Sequence, residues 1–267
     1  MGAALELNGA AVVITGGGSG IGAALARRFA ALGAQIVVND LDTDAARRIA
    51  YEIDGLAFSG DVADPDEVDR LVDFAWDKLG ALDLFCANAG VAPGGDATAP
   101  DAAWQLAWQV NVMAHVYASR ALLPGMLERG EGYLLNVASA AGVLSQVGDT
   151  AYSATKHAAV GLAESLAITY AERGVRVSVV CPQYVATAIT GLDETLPEGS
   201  VAGVLTVEQA ARAIVDGMER EQFLILTHAE VLGFFQRKAA DYDRWLAGMR
   251  RLRAGLRGRA GFLKVKR

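Results

Sequence analysis

A tyrosine and a lysine stand four residues apart in Tyr152-Ser153-Ala154-Thr155-Lys156. On a helix that spacing puts both on one face. An ammonium beside a phenol favours the phenolate, so such a tyrosine can exchange a proton well below its free pKa of about 10. This chemistry is useful only beside a substrate and an electron acceptor. Alone, Tyr-x-x-x-Lys is a common surface pair, and its meaning depends on its company. Ser139 lies 13 residues upstream; by itself it is an ordinary strand-end hydroxyl. Asn111, between Val110 and Val112, reads by itself as a satisfied core amide.

An acceptor site is legible near the N-terminus. Thr15-Gly16-Gly17-Gly18-Ser19-Gly20-Ile21-Gly22 does not fit G-x-G-x-x-G, because Ile21 takes the third glycine's place. It fits T-G-x-x-x-G-x-G, between an apolar strand and a helix. Glycines there permit positive φ and let a pyrophosphate approach backbone amides at a helix N-terminus. Asp40 follows Gly22 by 18 residues and ends the second apolar run. A carboxylate there can bind a ribose 2′-hydroxyl and repels a 2′-phosphate. Neither the glycine turn nor the stretch directly after Asp40 contains Arg or Lys, which favours NAD over NADP. Asp61-Val62 sits where an adenine would lie, although Asp61 reads equally as a helix-approach cap. Asn88-Ala89-Gly90 offers small residues for backbone to pass a cofactor and is also a common turn.

The elements that must hold these residues alternate. Short β-branched runs at 11–15, 35–39, 56–59, 82–86, 133–138, 176–181 and 223–226 are separated by helical stretches at 20–32, 43–52, 64–79, 101–129, 150–173 and 206–220. Asp64-Pro65 is an N-cap followed by proline, and Gly33, Gly80 and Gly174 close helices. Pro124 should break or bend the long 101–129 helix. Strands apolar on both faces with helices between them predict a parallel sheet covered on both sides. The expectation is one Rossmann-like, doubly wound, seven-stranded α/β sheet over residues 1–227 and a C-terminal helical extension over 228–267.

Taken together, T-G-x-x-x-G-x-G, the strand-two Asp, N-A-G, the helix Asn, a serine 13 before Y-x-x-x-K and a later P-x-x-V-x-T resemble the short-chain dehydrogenase/reductase family across about residues 8–227. The resemblance implies that Asn111, Ser139, Tyr152 and Lys156 form a catalytic tetrad. It places Gly16, Gly20, Ile21, Asp40, Asp61, Val62, Asn88, Ala89, Gly90, Tyr152 and Lys156 against the cofactor, and Pro182, Val185 and Thr187 beside its nicotinamide end. Tyr152 would then exchange the hydroxyl proton of an alcohol, with Lys156 lowering its pKa and Ser139 donating to the oxyanion. Asn111 would anchor a water linking Lys156 to solvent. Two departures stand out: Cys86-Ala87 precedes Asn88 where the family favours another Asn, and Gln183 stands where it usually has glycine.

The expected function is an NAD-dependent oxidoreductase of secondary alcohols and ketones. An alternative is an NAD(P)H-dependent carbonyl, 3-oxoacyl or steroid-type reductase. A cofactor-binding regulatory protein would not need the full tetrad. Val143, Leu144, Gln146, Val147, Gln183, Tyr184 and an apolar segment at 188–205 are expected to wall the substrate pocket. That segment reads either as a lid over a lipophilic substrate or as a loop covering its own core.

The net charge of −7 is unevenly spread: residues 237–267 hold 11 Lys and Arg against two acidic residues, leaving 13 against 29 elsewhere. An acidic body argues against nucleic acid as partner. Cys86 and Cys181, both closing apolar runs, and the lack of a secretory signal or a spanning run predict a reduced, cytoplasmic protein with no metal site. The 229–256 stretch reads as one helix, with Gly255, Gly258 and Gly261 interrupting the basic tail. It could pack on a neighbouring subunit, cover the pocket or meet an acidic surface. The resemblance also implies a homodimer or homotetramer.

Overall fold

The first strand, β1 (Ala11–Thr15), is buried along its whole length, as a run without polar alternation requires. In this computed structural model, which describes residues 5–257, it leads into α1 (Gly20–Ala31), β2 (Gln35–Asp40), α2 (Thr43–Glu52), β3 (Leu56–Ser59), α3 (Pro65–Leu79) and β4 (Leu84–Ala87). Then follow α4 (Asp101–Trp108), a π-helical turn over Gln109–Met113, α5 (Ala114–Arg129), β5 (Gly132–Val137), α6 (Thr150–Tyr170) and β6 (Val175–Val180). A small parallel pair, β7 (Tyr184–Val185) and β8 (Val204–Leu205), precedes α7 (Val207–Glu219), β9 (Leu224–Ile225), α8 (Glu230–Ala240) and α9 (Tyr242–Arg257).

The main sheet has seven strands in the order β3-β2-β1-β4-β5-β6-β9, and every pairing is parallel. The chain winds outward from β1 to β3, then returns to β1's other edge as β4. The carboxyl ends of β1 and β4 therefore diverge and leave a crevice, where open α/β sheets bind ligands. One face of the sheet packs Leu71 of α3, Met126 of α5 and Ala163 of α6. The other packs Phe29 of α1, Ile49 of α2 and Ile214 of α7. The expected seven-stranded, doubly wound sheet is present.

Local signals act as read. The Asp64 side chain accepts from the Asp66 amide, Pro65 opens α3, and Gly80 ends it at φ 72°. Two expectations are adjusted. Helix α5 continues through Pro124 without a break, and the 101–129 stretch is interrupted by the π turn at Asn111. There the Asn111 amide clamps the neighbouring loop, accepting from the Val91 N–H and donating to its carbonyl, each at 2.9 Å. A side chain engaged outside the helix with an extra residue in the turn is a local, functional type of distortion. The expected single helix at 229–256 is two, broken at Asp241 (φ −152°, ψ 91°). Asp241 caps the second one by accepting from the Arg244 amide at 2.9 Å. Residues 1–4 and the tail from 258, with Gly258 and Gly261, lie outside the described residues.

Candidate active site

One cleft of about 360 Å³ opens at the β1/β4 crevice. Its rim at the N-terminal end is the glycine turn. Gly16 has φ 60°, and a Cβ on Gly22 would fall 2.2 Å from the Gly16 carbonyl, so neither position admits a side chain. Asn88 braces the turn from β4's end, donating to the Thr15 and Gly16 carbonyls at 2.9 and 3.1 Å. Thr15 Oγ1 in turn accepts from the Asn88 and Ala89 amides. The motif's threonine is thus a knot between two strand ends. Ser19 precedes α1 without capping it through its side chain, and Gly20 and Ile21 at the helix start border the cleft.

Asp40 closes the far side of the turn. Its Oδ2 accepts from the Gly18 amide at 2.9 Å and its Oδ1 from the Asp42 amide at 3.0 Å. A carboxylate so fixed keeps lone pairs for the hydroxyls of a ribose. Asp61 and Val62 border the same cleft. Arg48, eight residues beyond Asp40, folds back and donates to the Gly18 carbonyl at 2.9 Å. A guanidinium therefore stands at the glycine turn, although none is adjacent in sequence. Every position expected against the cofactor, from Gly16 through Gly90 to Pro182, Val185 and Thr187, borders this single cleft. Glycine cradle, helix N-terminus and strand-end carboxylate together fit a dinucleotide.

At the opposite end sit Ser139, Tyr152 and Lys156. Tyr152 and Lys156 share one face of α6, with Lys156 Nζ 5.6 Å from the Tyr152 ring centre. The ammonium donates to the Val137 carbonyl at 3.1 Å rather than to the phenol. Burial pushes the Tyr152 pKa up, and the hydrogen bond with Ser139 opposes that rise. In this structure desolvation outweighs the lowering contact from Ser139, and Lys156 is not among the groups that shift the phenol. Burial also pushes Lys156 down to about 8. Asn111 is wholly buried behind the cleft, its amide donating to Thr155 Oγ1 at 3.1 Å. It holds the 91 loop and α6 together.

Two positioning residues escape a reading by motif. Asp149 is buried; its Oδ1 accepts from the Tyr152 amide at 2.9 Å and its Oδ2 from the Gly94 amide at 2.8 Å. It caps α6 and ties the start of that helix to the loop after β4. An aspartate just before Thr150-Ala-Tyr is the signal that an N-cap reading would have found. His228, also buried, receives the Gln183 amide at Nδ1 (3.3 Å) and donates from Nε2 to the Tyr184 carbonyl (3.1 Å). Its burial lowers its pKa, so it is neutral and fixes the loop on which Gln183 replaces glycine. Nothing local in the sequence points to it.

The cleft's outer wall also differs from expectation. Gln183 borders it, as do Ile189, Leu106 and Val110. Val143 and Leu144 turn instead into the apolar core under α6. Within 188–205, Leu196, Val201, Val204 and Leu205 border one small crevice, although Val201 remains exposed. Part of that segment's apolar surface therefore lines its own crevice, while Ile189 borders the cleft.

A doubly wound parallel sheet, a dinucleotide cradle at its switch point and a Ser–Tyr–Lys group at the far end define a nicotinamide-dependent oxidoreductase. Residues 10–195 match the family model of short chain dehydrogenases. Among similar proteins, 1-deoxy-11-beta-hydroxypentalenate dehydrogenase of Streptomyces exfoliatus is 37% identical over 237 residues, covering 85% of this chain and 86% of that one. The 7alpha-hydroxysteroid dehydrogenase of Escherichia coli K12 is 34% identical over 188 residues, 68% of this chain and 74% of that one. A short-chain dehydrogenase/reductase from Burkholderia phymatum, solved in complex with NAD, superposes with a TM-score of 0.82 at 29% identity, covering 90% of this chain and 96% of that chain. The chain belongs to the short-chain dehydrogenase/reductase family and acts on CH–OH groups and their ketones.

Proposed function

We propose that this enzyme oxidises a lipophilic secondary alcohol with NAD, and that Asn111, Ser139, Tyr152 and Lys156 are its working residues. The observation that carries the reading is the convergence of Ser139, Tyr152 and Lys156 with the Asp40-bearing glycine cradle in one cleft. Bound in that cradle, the nicotinamide would accept or return the hydride. The chain's own residues move the proton and hold the oxygen. Tyr152 Oη takes the proton of the alcohol hydroxyl and gives it back in the reverse direction. Ser139 donates to the same oxygen as negative charge develops on it. Lys156 supplies a cation one helical turn away. Asn111 ties the π turn to the Val91 backbone and to Thr155 of α6. Asp61, Val62, Asn88, Ala89 and Gly90 would line the nucleotide, and Pro182, Val185 and Thr187 its nicotinamide end.

NAD rather than NADP is supported by the Asp40 carboxylate, which would face a 2′-phosphate with like charge. Arg48 at the Gly18 carbonyl weighs against that reading, and the carboxylate is favoured because it points into the cleft rim directly. A lipophilic substrate is supported by Leu106, Val110 and Ile189 on the outer wall and by the terpenoid and steroid alcohols named for two relatives. We also place residues 228–267 as an extension to a catalytic body of 1–227. Homo-oligomerisation is supported by Leu106 and Trp108 of α4 and Ile168 of α6, all exposed. A cytoplasmic setting is supported by Cys86 and Cys181, buried and not bonded to one another. No described helix is long and apolar enough to cross a membrane.

The deciding experiment is a panel of cyclic and aryl secondary alcohols with NAD, followed by NADH absorbance. Turnover with bulky apolar alcohols and none with small charged ones is the expected result. Activity only with NADP, or only on charged hydroxy acids, would overturn it.

A further inference from the structure

Lys238 of α8 is only 6% exposed, yet among the described residues its ammonium has no carboxylate as a hydrogen-bond partner. A buried charge is costly unless all its donors are satisfied. Here they are. Nζ donates to the Val143 and Leu144 carbonyls at 2.8 and 2.9 Å and lies 3.4 Å from His157 Nε2. His157 Nδ1 faces the Ser153 carbonyl at 2.8 Å, which can only accept, so Nδ1 carries the proton and Nε2 offers its lone pair to the ammonium. The rings of Tyr242 and Trp245 flank the cation at 5.4 and 5.1 Å. Five groups from three parts of the chain are thus arranged around one amine.

Those partners adjoin the chemistry. Val143 ends the short turn over Ala140–Gly142 that Ser139 opens by accepting from the Ala141 amide. That turn lies hard against α6: a Cβ on Gly142 would fall 2.6 Å from the Lys156 carbonyl. His157 is the next residue after Lys156 on α6. A bond from α8 to both the turn and His157 therefore fixes Ser139 relative to Tyr152 and Lys156. Resting on the tetrad reading above, we propose that Lys238 is a positioning residue of the hydride-transfer centre. The C-terminal helices, through this one ammonium, hold the Ser139 turn against the helix bearing Tyr152 and Lys156.

The test compares Lys238→Met, His157→Ala and Tyr152→Phe in the full chain, reading kcat, NAD dissociation constant and melting temperature. Misplacement of a catalytic group by about 1 Å costs up to roughly 10²-fold. Lys238→Met should accordingly lose about 10- to 100-fold in kcat while its NAD affinity stays within about twofold of wild type. His157 is exposed, so His157→Ala should fold normally and lose kcat several-fold with no change in melting temperature. If both variants keep wild-type kcat, the proposal is overturned. Should Lys238→Met fail to fold, an unchanged kcat in His157→Ala overturns it equally, since Lys238 would then be a structural anchor only. Tyr152→Phe separates the two layers. An active Phe variant removes the tetrad reading, whereas an inactive one beside a fully active Lys238→Met removes only this inference.

Discussion

The Glu194 carboxylate accepts a hydrogen bond from the Gly20 amide at 3.2 Å. It reaches across 174 residues to rest on the N-terminus of α1, where amide N–H groups and the helix dipole favour an anion. A cofactor pyrophosphate would use the same amide. Glu194→Ala should therefore bind NAD more tightly. A hydrogen bond to a charged group is worth about 1.5–3 kcal/mol, so the gain should be about tenfold or more. Fluorescence titration would measure it, and unchanged or weaker affinity would show that the carboxylate does not compete.

Tyr152→Phe keeps the ring at the cleft and removes the hydroxyl proposed to move the proton. Turnover should fall by about 10²–10⁴-fold, the usual worth of a positioned acid or base. The NAD dissociation constant should hardly move. Steady-state rates combined with a binding titration separate the two effects.

Asp40→Ala should shift cofactor preference toward NADP. Like charges about 4 Å apart repel by roughly 1–4 kcal/mol between water and a protein surface. Removing the carboxylate also leaves Arg48 donating to the Gly18 carbonyl of the turn. The ratio of kcat/KM for the two cofactors is the readout. A variant that still prefers NAD to the wild-type degree would remove Asp40 from that role.

Lys156 illustrates activity held at the expense of stability. Its pKa falls from 10.5 to about 8 because burial disfavours the charged form. The folded state thus binds fewer protons than the unfolded one between those two values, and stability rises with pH across that window. Below about pH 8 the full penalty applies, on the order of 3 kcal/mol. Lys156→Met should be inactive yet more stable than wild type at pH 7, with the difference shrinking as pH rises toward 10.5. Chemical denaturation at pH 7 and pH 10 would check the sign; a Met variant less stable at pH 7 would refute it.

Much of this molecule was legible before folding. The strand–helix alternation, the Asp64-Pro65 cap, the glycine turn and the Ser139–Tyr152–Lys156 spacing are local patterns. Periodicity and capping act over a few residues, so a linear reading captures them. Local logic also misled. Pro124 suggested a break, but an α-helix absorbed it, while the distortion came from Asn111 clamping the Val91 loop. Lys156 beside Tyr152 suggested a lowered phenol pKa, but burial dominates there. Burial is a property of the packed chain, not of a spacing.

The sequence by itself determined the class of fold, the glycine turn and the Ser–Tyr–Lys spacing proposed to exchange a proton, because each is written in neighbours along the chain. Tertiary structure alone decided what braces and adjusts them. It brought Asp149 to Gly94, His228 to Gln183, Arg48 to Gly18, Glu194 to Gly20 and Lys238 to Val143. These pairs lie between 30 and 174 positions apart. Each joins groups whose meeting depends on how whole helices pack on the sheet, and packing responds to the shape of the entire core rather than to any short run of residues.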